Sequence, residues 1–238
     1  MLKNKLLLLP LALLLAVPAQ AHQIWIEQDA AGARLYLGEF GENLRETSPG
    51  MLDKFTQPAA TLITAKGDLP APLAKRANAF GIDARAISGE SIVAQESGFP
   101  GWERKQGDKV ERHVWIPAAR WISDFAARGP KLALDLVPTG KPGQFQVFYK
   151  QQPLPEAKVQ VVSASGWGRE VQADKSGLLS VSLPWKSAYA LEVKHTDKNG
   201  GDRNGQAWDV GQFVTTLSFN VAQGMESPPL PAPAKPTQ

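Results

Sequence analysis

The sequence predicts an all-β protein made of two β-sandwich-like domains, the C-terminal one of immunoglobulin-like or transthyretin-like type. Three observations lead there. Turn formers are abundant, with 21 glycines and 19 prolines in 238 residues, and such residues interrupt helices and terminate strands. Apolar stretches beyond the N-terminal run are short. Where they occur, apolar and polar residues alternate, the period that turns one face of a strand toward a core.

The first element is a leader. Lys3 and Lys5 precede an apolar run over 6–17, followed by Pro18, Ala19, Gln20 and Ala21. A basic start, a short apolar run and a small-x-small end form a secretory signal, with cleavage expected after Ala21 and a periplasmic mature protein starting at His22. The run falls short of the about 20 apolar residues that span a bilayer. No second long apolar run follows, so no membrane insertion is expected after cleavage.

Cleavage also changes the charge. Two of the 26 basic residues leave with the signal, so 24 face 23 acidic ones. A near-neutral chain with no basic stripe gives no reason to expect nucleic acid as a partner. The chain has no cysteine, which excludes lipoprotein anchoring, disulfides, thiolate ligation and a cysteine nucleophile.

The N-terminal domain, 22–138, is expected to be β-rich, with alternating runs at 22–27, 33–39, 60–65, 82–88, 111–116 and 131–137. Polar pieces at 43–55 and 117–127 suit helix. The segment from Pro138 to Gly143 holds two prolines and two glycines beyond Val137, which neither a helix nor a central strand accepts, and it reads as the domain boundary. From 143 to 222 the pattern becomes regular, with runs at 144–149, 157–163, 169–173, 178–183, 188–195 and 212–221. Alternate members such as Tyr189, Leu191 and Val193 line one face, and Asp174-Lys175-Ser176-Gly177 supplies a tight reversal. So many short strands in so short a length suggest the sandwich. The Pro/Ala-rich tail, 224–238, has too little apolar bulk to offset its ordering entropy and is expected to be disordered.

The candidate chemistry rests on the three histidines, His22, His113 and His195. Cleavage after Ala21 makes His22 the first residue of the mature chain. A free N-terminal histidine offers its amine and a ring nitrogen to one metal, and a second imidazole completes a brace that suits divalent copper. His195 ends a predicted strand and opens a loop rich in oxygen donors, where Asp197 stands ready as a ligand or as an orienting partner. That loop lacks the spacing of a helix-loop-helix calcium site. His113 alternates with Val114 in a predicted strand and is the less favoured third imidazole. Bland readings stand beside each: a histidine follows many signals by chance, and an Asp/Asn/Gly cluster also describes any long turn.

Signatures of catalysis are missing. There is no nucleophile elbow, phosphate-cradling loop, dinucleotide fingerprint or His-Glu-x-x-His. The reading is a metal-binding protein without catalysis of its own. Two alternatives stay open. One is a structural or adhesion module that displays loops to protein or glycan, with Trp25, Trp102, Trp167 and Trp185 as platforms for sugar rings. The other is an enzyme like the lytic copper oxygenases, which also begin with histidine on a β-sandwich but commonly carry disulfides.

Three stretches carry a resemblance: His22-Gln23-Ile24-Trp25-Ile26-Glu27, the segment 147–159 with Gln151-Gln152-Pro153-Leu154-Pro155, and 189–209 with His195-Thr196-Asp197-Lys198. They look like a family of bacterial periplasmic proteins of undefined function, loosely described as a periplasmic component of nickel or cobalt transport. The resemblance covers nearly the whole mature chain. It implies a β-rich exported protein connected with metal uptake, and it points to His22, His195 and Asp197 but not to His113. Copper, nickel or cobalt is the expected ion, and a membrane metal transporter or an outer-membrane receptor the expected partner.

Overall fold

The computed structural model describes residues 22–236, so the expected signal, 1–21, lies outside the described residues. The protein is nearly all β, 55% strand and 3% helix. In the first half the strands are β1 (Gln23–Asp29), β2 (Gly32–Glu39), β3 (Leu44–Arg45), β4 (Pro58–Thr64), β5 (Gly67–Pro70), β6 (Leu73–Lys75), β7 (Phe80–Ile82), β8 (Ser91–Glu96), β9 (Trp102–Gln106) and β10 (Lys109–Ile122). The second half adds β11 (Leu134–Pro138), β12 (Gln144–Tyr149), β13 (Gln152–Pro153), β14 (Lys158–Ser163), β15 (Gly168–Gln172) and β16 (Leu178–Ser180). It ends with β17 (Trp185–Asp197), β18 (Gly201–Arg203), β19 (Gln206–Trp208), β20 (Val210–Val221) and β21 (Met225–Glu226).

A ten-stranded sheet organises the molecule, with main order β15-β14-β17-β20-β10-β8-β4-β5. Its centre is the parallel pairing of β10 with β20, from His113 opposite Val210 to Trp121 opposite Ser218. Strands of both halves of the chain therefore share one sheet. Alternation divides its two faces between two cores. On one face Leu191, Val193, Phe213, Leu217 and Phe219 pack against Leu134, Leu136, Phe145 and Val147 of the smaller β11-β12 sheet. On the other, Ile92, Ala94, Ala119 and Trp121 pack against Ile24, Ile26, Leu35 and Leu37 of the β1-β2 sheet.

The β1-β2 sheet meets the large sheet through its edge strand. Among the described residues β1 pairs only with β2, leaving outward carbonyls that must find donors once buried. Thr216 Oγ1 donates to Ile24 O and Ser218 Oγ to Ile26 O, each at 2.5 Å. Two buried hydroxyls in β20 thus take the place of a neighbouring strand. The other side of this sheet places Trp25, Tyr36 and Phe40 against Ala188 and Ala190 of β17.

Several expectations change. The segment 138–143, read as a domain boundary, closes the β11-β12 hairpin: Pro138 pairs with Phe145, and Thr139 N–H donates to Gln144 O. Proline and glycine serve a reversal as well as a linker, and the sequence does not separate the two uses. Residues 117–122 continue β10 rather than forming a helix. Pro117 is tolerated because β9 pairs with β10 only up to His113 and β8 only from Ala118, so on that side the proline lacks a strand that would ask for its N–H. Residues 43–55 hold β3 and a short 3-10 turn, Met51–Lys54, instead of an α-helix. The tail also makes contacts: β21 pairs with Trp185 and Lys186, and Asn43 Nδ2 donates to Pro231 O at 3.0 Å.

Candidate functional site

His22 stands just before β1, and its Nε2 lies 2.5 Å from Glu46 Oε1. The His22 side chain is 26% exposed, whereas that of Glu46 is wholly buried. Local backbone explains how Glu46 arrives there. Gly38 of β2 is opposite Gln23 of β1 and opposite Arg45 of β3, and a Cβ on it would come 2.2 Å from Leu44 O, so only glycine lets β3 fold back this closely. Glu46 N–H then donates to Leu37 O at 2.8 Å and fixes the carboxylate beneath His22.

Further carboxylates surround this corner. Glu39 ends β2, and its carboxyl is pushed up by burial and then by the charge of Glu42, with His22 pulling the other way. Glu192 of β17 is pushed up by burial and opposed by Lys194, whose Nζ is 2.8 Å away. With the Gln23 amide turned to satisfy its neighbours, its nitrogen donates to Glu192 Oε2 at 3.1 Å and its oxygen accepts from Phe40 N–H. Arg45 borders the corner, paired with Glu27 at 2.7 Å and lying over the Tyr36 ring.

His195 is elsewhere. On β17, Glu192 and Lys194 point toward the β1-β2 sheet, while Leu191, Val193 and His195 point to the opposite face. There the His195 ring packs on Tyr149, centroids 4.2 Å apart. Burial pushes the imidazole below its ordinary value, with Asp197 opposing and Lys150 reinforcing. Asp197 is buried and engaged. Its Oδ2 accepts from Tyr149 OH at 2.5 Å and from Lys150 Nζ at 2.8 Å, and its Oδ1 accepts from Asn199 N–H at 2.8 Å. These partners hold the carboxyl well below the usual range. A carboxylate already bound to an ammonium and a phenol is a poor metal ligand, so Asp197 anchors its loop instead.

His113 occupies a third environment, on β10 opposite Trp102 of β9. Its ring is buried under the Trp102 indole, centroids 5.6 Å apart and 27° between planes. Among the described residues neither ring nitrogen has a hydrogen-bond partner, Glu111 Oε2 standing off at 3.5 Å from Nε2.

His22 and His195, expected to share one metal, lie on opposite faces of the large sheet, and His113, the less favoured third imidazole, sits in a separate environment. The two-imidazole brace is not assembled. Among the described residues no group of three or more His, Asp and Glu side chains is placed to hold a metal ion. What the structure adds is Glu46, which sequence reasoning missed because it lies in a polar stretch read as helix, 24 residues from His22. No spacing rule connects the two, since the contact depends on β3 folding back.

The chain matches no protein-family model and no curated protein. Fold and geometry define the class as an all-β protein, and the reading of its function rests on the chemistry of these side chains.

Proposed function

We propose that the protein is an exported periplasmic binding protein for a divalent transition metal, copper or nickel or cobalt, accessory to metal uptake or homeostasis. The observation that carries this reading is the contact of His22 Nε2 with the buried carboxylate of Glu46. Histidines that ligate metals commonly give their second ring nitrogen to a carboxylate, which fixes the tautomer and raises the basicity of the nitrogen on the metal. With Nε2 turned to Glu46, Nδ1 is the nitrogen that closes a chelate with the α-amine once cleavage after Ala21 has made that amine. Both must be unprotonated to bind. Nitrogen donors without a thiol favour copper or nickel.

The fit is that of an N-terminal chelate and not of an enclosed cage. His195, Asp197 and His113 take no part in it, and the other coordination positions fall to solvent or to a delivery partner. A membrane metal transporter or outer-membrane receptor is the partner this reading names. Glu39 lies near enough to His22 for the two charges to interact, and the resemblance to a family of undefined function, loosely described as a periplasmic component of nickel or cobalt transport, is consistent with this reading. Binding, with no catalysis, is the assigned role.

Copper and nickel titrations of His22→Ala, His195→Ala and His113→Ala, each made as the processed chain, test the reading. It expects tight binding to be lost in the first variant alone; loss in His195→Ala with His22→Ala unaffected overturns it.

A further inference from the structure

A cleft lies between the β9-β10 ribbon and the β18-β19 hairpin, with a volume of about 250 Å³. It runs on into a second hollow of about 340 Å³ that shares Glu103, Arg112 and Ala207 with it. Of the four tryptophans singled out above as platforms for sugars, Trp25 is wholly buried. Trp167 and Trp185 pack against the core of the second half. Trp102 is 40% exposed and lines the cleft.

The indole is held in place. One face rests on the His113 imidazole. Gly101 makes this possible, because a Cβ there would come 2.8 Å from His113 O. Arg203 enters from the hairpin, anchored by donating to Trp115 O at 2.9 Å and Phe99 O at 2.7 Å. The remaining polar wall is Glu103, Arg112 and Gln206. Beneath Trp102, neither buried ring nitrogen of His113 makes a hydrogen bond among the described residues, the Glu111 carboxylate standing 3.5 Å from Nε2.

We infer that this cleft is a binding site for a pyranose ring of a saccharide, stacked on Trp102. A fixed indole offers an apolar face to the C–H side of a sugar ring. The walls carry donors and acceptors together, arginine and amide beside a carboxylate, which matches hydroxyls that both donate and accept. Glu103 opposes a simple anion, which would otherwise suit the two arginines. This site is independent of the metal reading, on other strands and other side chains.

The test is titration of the full mature chain with chitobiose, cellobiose, maltose and digalacturonate at millimolar concentration, followed by tryptophan fluorescence and calorimetry. The expected result is saturable binding of at least one sugar, weakened at least about tenfold in Trp102→Ala and in Gln206→Ala and kept in Trp102→Phe. Unchanged circular dichroism guards against unfolding, and if Trp102→Ala does not fold, the contrast of Gln206→Ala with Trp102→Phe decides. No binding of any of the four, or binding that Trp102→Ala and Gln206→Ala leave unaltered, overturns the inference.

Discussion

His22 Nε2 and Glu46 Oε1 are 2.5 Å apart although 24 residues separate them in the chain. Glu46 has no solvent-exposed side-chain surface, and a buried carboxylate persists only where partners compensate for its lost hydration. His22 is thereby tied to the segment that follows β3.

The same contact sets the first prediction. Glu46→Gln keeps the shape but replaces the carboxylate with an amide, and metal affinity is expected to fall by about 10- to 100-fold, the usual effect of losing a carboxylate behind a ligating histidine. Calorimetric titration with copper reads it. An unchanged affinity would mean that Glu46 serves the fold alone.

Stability depends strongly on a second buried pair. Arg120 and Asp135 are both wholly buried, joined through Nε to Oδ1 at 3.0 Å and Nη2 to Oδ2 at 2.5 Å. Asp135 also accepts from the backbone N–H groups of Lys131, Leu132 and Leu136. Asp135→Ala leaves an uncompensated guanidinium in the core and is expected to cost about 3–5 kcal/mol. Urea unfolding measures this, and the double variant Arg120→Met, Asp135→Leu is expected to be less destabilised than Asp135→Ala.

The docking of β1 on β20 gives a third. Thr216→Val removes the donor to Ile24 O while keeping the volume, and Ser218→Ala removes the donor to Ile26 O. Each leaves a buried carbonyl unsatisfied, at about 1–3 kcal/mol. Hydrogen exchange in β1 is expected to accelerate with the loss of stability. A neutral Thr216→Val would show that the edge strand needs no such donor.

A fourth concerns pH. Burial, followed by the Asp197 hydrogen bond, pushes the Tyr149 phenol up to about 12. The neutral phenol's contribution to stability is complete below the ordinary tyrosine pKa of about 10 and is lost as pH rises through the raised value. Asp197 runs the other way: its depressed carboxyl stabilises the fold above the ordinary carboxylate range and loses that contribution as pH falls through the depressed value. Lys150 is more than half exposed, so solvent screens the pair, and Lys150→Met is expected to cost less than about 1 kcal/mol at neutral pH. Ultraviolet titration of the phenolates reads the first effect, and Asp197→Asn is expected to move the Tyr149 midpoint downward.

Much of the fold was legible in the sequence. Alternation located β12 and β14, which bury one face in period two, and β1, β2, β17 and β20 were found by their apolar runs, although runs of adjacent residues in each are buried because both faces are covered. It missed β5 and β9, whose residues are all exposed and carry no such pattern. Nor did it show the sharing of one sheet by both halves, since the parallel pairing of β10 with β20 joins residues far apart in the chain. His22 stood out in the sequence by its place after the expected signal, whereas its contact with Glu46 did not. The separation of His195 from it was not, because the face to which a strand residue points depends on which neighbour covers each side.

The measurement that tests the central claim most directly is a copper titration of the protein beginning at His22, beside the same protein carrying one additional N-terminal residue. The account predicts tight binding at one equivalent for the first and its loss in the second, because the extension converts the α-amine into an amide. Absence of binding in both, or equal binding in both, would contradict it.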